Sequence, residues 1–120
     1  MICAVAAVAL LASTPALADP NGSDRHGPCS DAGQWRLRAA RKSPGTIQLR
    51  FDIEHVRPGQ HWQLFLSDDG VRIFAGTRIA DPDGELRAIK ITTDRAGVDQ
   101  IKGSGVNVTA GGSCIGAVKF

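Results

Sequence analysis

The 120-residue chain has no tyrosine, one methionine and two tryptophans, and aromatic residues make up only 5% of it. A surface that stacks on sugars or bases needs several exposed rings. Here the whole ring set is Trp35, Trp62, Phe51, Phe65, Phe74 and Phe120, and a small core needs most of it. An excess of one charge is also missing. The 14 Lys and Arg against 12 Asp and Glu leave a formal charge of +2, which calls for neither nucleic acid nor a membrane surface as partner. No stretch repeats with a helical period, so a helical bundle is excluded. There is no Gly-x-Ser-x-Gly elbow, and Gly103-Ser104-Gly105 lacks the lysine and following helix of a phosphate loop.

What is present begins with Met1 to Leu17, an uncharged run ending in Ala16-Leu17-Ala18. Ile2 to Leu11 has the character of an apolar export core and the triplet that of a cleavage site, although no basic residue precedes them. A spanning helix needs about 20 apolar residues, and Ser13-Thr14-Pro15 interrupts the run too early. Residues 1–18 are therefore read as a signal peptide and the protein as secreted, with no membrane contact after cleavage. Cleavage removes Cys3 and leaves Cys29 and Cys114. In an oxidising compartment two cysteines are expected to pair. A bridge closing so long a loop stabilises by on the order of 4 kcal/mol.

About a hundred residues then remain, enough for one domain. Residues 19–33 are rich in Asp, Asn, Gly, Ser and Pro without an apolar period, and are read as a flexible segment. From residue 34 onward short alternations separated by turn signals predict an all-β architecture. Trp35, Leu37 and Ala39 alternate with Arg36 and Arg38; Ile47, Leu49, Phe51 and Ile53 alternate with polar residues; Trp62, Leu64 and Leu66 mark a third strand with Phe65 on its other face. Ser67-Asp68-Asp69-Gly70 closes a hairpin onto Val71–Ile79, and Asp81-Pro82-Asp83-Gly84 is the next turn. In 85–92, Leu86 and Ala88 are out of phase with Ile89 and Ile91, which predicts a bulge. Two further strands, about 98–108 and 113–120, make about seven. So many short strands require two packed sheets.

Trp62 in the third strand and the segment Arg95-Ala96-Gly97-Val98-Asp99-Gln100-Ile101 resemble the core tryptophan and the E–F corner of immunoglobulin-like domains. That resemblance implies a two-sheet sandwich over 34–120, with Asp99 in the tyrosine-corner position and Ile101 in place of the second core cysteine. Trp62, Leu49, Phe51 and Ile101 are the expected core. The mature chain also resembles small exported bacterial proteins of uncharacterised function, through the stretch Val56-Arg57-Pro58-Gly59-Gln60-His61-Trp62, the Gly84-to-Asp99 segment and Cys114-Ile115-Gly116. The likeness implies a compartment and a fold, and no activity.

Candidate chemistry is sparse. His55 and His61, with Glu54 beside them, straddle a turn at a spacing that fits no structural zinc pair. Asp81-x-Asp83-Gly84 is a fragment of a calcium loop whose other ligands are missing, and it and Asp68-Asp69-Gly70 are read as turns. No metal, cofactor or catalytic residue is assigned. Arg36, Arg38, Arg41 and Lys42 form the densest basic cluster and are the candidate contact surface. The expectation is a secreted, monomeric, non-catalytic binding or structural module at the bacterial cell surface or exterior, with an unknown extracellular or cell-envelope ligand. The rivals are a small hydrolase resembling guanyl-type ribonucleases, with Glu54, Arg50 and His55 or His61 as its site, and a proteinase inhibitor.

Overall fold

Strand β3 (Thr46–Glu54) puts Ile47, Leu49, Phe51 and Ile53 on one face, all with no exposed surface, and the sandwich forms around that row. The computed structural model describes residues 22–120; the signal segment and Cys3 lie outside them. Eight strands are present: β1 (Gly22–Pro28), β2 (Gln34–Ser43), β3, β4 (His61–Asp68), β5 (Val71–Ile79), β6 (Leu86–Thr93), β7 (Gln100–Asn107) and β8 (Ser113–Lys119). They form two antiparallel four-stranded sheets, β1-β2-β3-β6 (sheet A) and β5-β4-β7-β8 (sheet B). From β2 onward this is the strand order of an immunoglobulin-like sandwich, with β3 and β4, and again β6 and β7, crossing between sheets.

The expected core is in place. Trp62 and Ile101, both of sheet B, face the interior at 2% and 1% exposure, and Leu49 and Phe51 of sheet A are fully buried. Sheet B comes close enough to sheet A for this because its inward positions carry glycine. A β-carbon on Gly103 would lie 2.7 Å from the Phe51 ring, one on Gly105 2.5 Å from Ile53, and one on Gly116 2.4 Å from Trp35. The glycines of β7 and β8 are sockets for the large side chains of β2 and β3.

Two readings need correction. The 19–33 segment contains β1, which pairs with β2 from Gly22↔Ala40 to Pro28↔Gln34. An edge strand needs only backbone bonds to its neighbour, so the lack of an apolar period was no bar to it. β6 has no bulge. Its register with β3 is unbroken, so Leu86 and Ala88 are buried while Ile89 and Ile91 point outward, 45% and 50% exposed. Register shifts occur instead in the β2–β3 pair between Arg41 and Ser43 and in the β4–β5 pair after Leu66, where Phe74 stands opposite Leu66. Cys29 and Cys114 are bonded, with Cα atoms 4.3 Å apart, and the bridge ties the β1–β2 turn to β8. Beside it Ser30 accepts the Ser113 N–H through its side chain at 2.9 Å, and at the far ends of β1 and β8 Ser23 Oγ donates to the Lys119 carbonyl at 2.5 Å.

Candidate functional site

The outer face of sheet A carries the predicted basic residues, and neighbouring strands neutralise them. Arg36 forks onto Asp24 of β1, Nε to Oδ1 at 3.0 Å and Nη2 to Oδ2 at 2.5 Å. That bond holds the Asp24 carboxyl below its ordinary range and raises the Arg36 guanidinium. Asp52, 4% exposed, sits among three arginines: Arg87 at 2.6 Å, Arg50 at 2.9 Å and Arg38 at 3.5 Å. The hydrogen bond to Asp52 raises Arg87. Arg41 points elsewhere, pairing with Asp94 at 3.0 Å and lying over the Phe120 ring. Lys42 is exposed at the β2–β3 turn. The four cations therefore do not make one patch, and three of them are committed to carboxylates.

The outer face of sheet B has the opposite character. Strand alternation turns His61, Gln63, Phe65 and Ser67 of β4, Ala75, Thr77 and Ile79 of β5, and the alternate residues from Gln100 to Val106 of β7 and from Ser113 to Lys119 of β8 outward. No carboxylate is among them. Ile79, Ile115 and Val106 are 58%, 57% and 45% exposed, and Phe65 is half-buried under the Arg72 guanidinium, 4.2 Å from its ring centroid. Lys102 and Lys119 flank the apolar strip; with Arg72 they make no ion pair among the described residues.

At one end of the sandwich four aspartates meet. Asp68 closes β4, Asp69 follows in the hairpin with φ 50°, Asp94 follows β6 and Asp99 precedes β7. Asp68 and Asp99 are both 0% exposed, and none of their four carboxylate oxygens has a hydrogen-bond partner. Burial and the neighbouring carboxylates push Asp99 up to about 6, and burial with Asp69 raises Asp68. Reading Ser67-Asp68-Asp69-Gly70 as a hairpin was right for Asp69 and Gly70, which take the positive φ, but it overlooked the side chain of Asp68. The signal was available: Asp68 continues the inward alternation of Trp62, Leu64 and Leu66, and Asp99 stands two before inward Ile101.

The other candidates do not converge. Glu54 and Arg50 lie on the outer face of sheet A, His61 on that of sheet B, and His55 in the exposed loop after β3 with φ 62°. Asp81, Asp83 and Glu85 cluster, but all are exposed, and Asp81 Oδ1 already accepts the backbone N–H groups of Asp83 and Glu85, as expected of a turn. At the disulfide end a 270 Å³ cavity is lined by Asp31, Arg57, Gln60, Trp62 and Asn107, among others. Two of its polar groups bond each other, Asn107 Nδ2 to Gln60 Oε1 at 2.8 Å, while the buried Trp62 Nε1 has no hydrogen-bond partner among the described residues. The chain matches no protein-family model and no curated protein.

Proposed function

We propose that the protein is an exported, non-catalytic binding module of the bacterial cell exterior, and that it binds through the outer face of sheet B to a protein whose surface is apolar at its centre and acidic at its rim. The observation that carries this is the contrast in charge between the two sheet faces. Contiguous exposed apolar surface marks interaction sites, and the only charges beside Phe65, Val106 and Ile115 are cations without partners among the described residues. A second copy presenting the same face would bring its own cations; a fully hydrophilic anionic polymer would leave the apolar strip uncovered. Export is supported by the bonded Cys29–Cys114 pair, which persists in oxidising compartments, and by the leader-like first residues. No helix among the described residues is long and apolar enough to cross a membrane.

A photo-crosslinking residue at Ile115, compared with one at Ile91 on sheet A, tests the reading in the producing cell. The expected result is one defined protein adduct at Ile115, through an acidic segment of the partner, that weakens with salt and is lost in the Lys102→Glu, Lys119→Glu double variant. Equal adducts at both positions, or an adduct indifferent to the charge reversal, would overturn it. RNA cleavage by the purified protein that disappears on replacing Glu54, His55 and His61 would overturn the non-catalytic part.

A further inference from the structure

We infer that the carboxylates of Asp68, Asp69 and Asp99 form a binding site for one divalent cation, of the size and hardness of Ca²⁺, at the end of the sandwich where β4 turns into β5. An acidic cluster alone would not carry this, because exposed acids gather on many surfaces. The added observation is that Asp68 and Asp99 are fully buried, come from segments more than thirty residues apart in sequence, have four carboxylate oxygens without a hydrogen-bond partner, and each bring one oxygen to the same cluster. Buried carboxylates are held by hydrogen bonds, by cationic side chains or by metal. Among the described residues no cationic side chain forms an ion pair with either, and the side chain placed to share a proton with Asp99 is a further carboxylate, Asp94.

The remaining geometry is in keeping with a hard cation. One ligand oxygen from each of the three aspartates lies within 4.8 Å of the others. Ca²⁺ accepts irregular sets of protein oxygens at about 2.3–2.6 Å, whereas Mg²⁺ demands a near-ideal octahedron and keeps several of its waters. No sulfur or imidazole is in the group, which disfavours the softer metals. Asp69 is already oriented, since its Oδ1 accepts the Gln100 N–H at 2.8 Å and its backbone N–H donates to the Gln100 carbonyl at 2.8 Å. That leaves Oδ2 for the ion. Two cations influence the group: Arg41 is spent on Asp94, and Arg95 acts on Asp68 from a distance. Water would complete the shell on the Asp69 side, where the site opens to solvent.

Calorimetric titration of the purified, chelator-treated protein with CaCl₂ tests this, with thermal unfolding as a second readout. The expected result is one ion per chain with a dissociation constant in about the 10⁻⁵–10⁻³ M range, a higher Tm in Ca²⁺ than in chelator, and weaker binding of Mg²⁺. Asp68→Asn and Asp99→Asn should each lower affinity at least tenfold. Should either fail to fold, the solvent-exposed Asp69→Asn should still lower it severalfold. Asp81→Asn should leave it unchanged. No heat and no Tm change with Ca²⁺, Mg²⁺ or Mn²⁺, or binding undiminished by Asp69→Asn and Asp68→Asn, would overturn the site.

Discussion

Asp52 and the Asp68–Asp99 pair are buried to nearly the same degree and are treated in opposite ways. Asp52 lies in the middle of a sheet, where strand register brings Arg36 and Arg87 opposite it and Arg38 onto the diagonal, and where Arg50 stands two residues before it on the same face of β3. Three of those four arginines reach its oxygens. Asp68 and Asp99 lie at the end of the sandwich, where the neighbours come from turns and the nearest side chains are further aspartates. A sheet face is a lattice on which cations from adjacent strands can be set around an acid. The end of a sandwich offers no such lattice, so compensation there falls to a proton or a bound ion.

The largest way to break the contrast is to remove Asp52. Asp52→Ala leaves three arginines crowded without their anion, and deleting one partner of a buried charged group costs about 3–5 kcal/mol. Urea unfolding should show this as a drop in midpoint with little change in slope; a loss below about 1 kcal/mol would mean that the arginines fully resolvate. The second test is pH, in chelator. The Asp99 carboxyl is raised to about 6, so the folded state takes up a proton before the unfolded chain does. Metal-free protein should therefore gain stability, by on the order of 1–3 kcal/mol, as pH falls from above 6 toward 4, and lose it as pH rises through 6. Ca²⁺ should flatten or reverse that slope. The smallest effect belongs to Arg36→Ala: its pair with Asp24 is exposed on both sides, and thermal unfolding should show a Tm barely distinguishable from that of the unaltered protein.

The alternations of β2, β3 and β4 carried most of the fold, because inward residues there are apolar and outward ones polar, and burial follows that code directly. It failed where burial and polarity part company. β1 has no apolar period and is held by backbone bonds to β2, by the Asp24–Arg36 pair and by Ser23 on the Lys119 carbonyl. Ile89 and Ile91 are apolar and face water. Asp68 and Asp99 are charged and face the interior. Reading Asp68 by its parity with Leu66 instead of by its neighbours Asp69 and Gly70 would have placed it inside. Its meeting with Asp99 depends on the β4–β7 pairing, which puts Asp68 opposite Ile101, and single-strand patterns do not contain it. The basic cluster failed for a related reason: Arg36, Arg38 and Arg41 are adjacent in sequence, while their anions, Asp24, Asp52 and Asp94, are cross-strand or distant neighbours.

The most direct measurement sets the two settings side by side: urea unfolding of Asp68→Asn and Asp52→Asn, each against the unaltered protein, at pH 7.5 in chelator. Removing the charge of Asp68 relieves repulsion and supplies an amide donor to Asp99, so the metal-free protein should become more stable by about 1 kcal/mol, whereas Asp52→Asn should be less stable by about 2 kcal/mol or more. Shifts of opposite sign are the predicted result. Destabilisation of both variants by similar amounts would mean that Asp68 has a partner as good as the arginines of Asp52, and would contradict the distinction between the two sites.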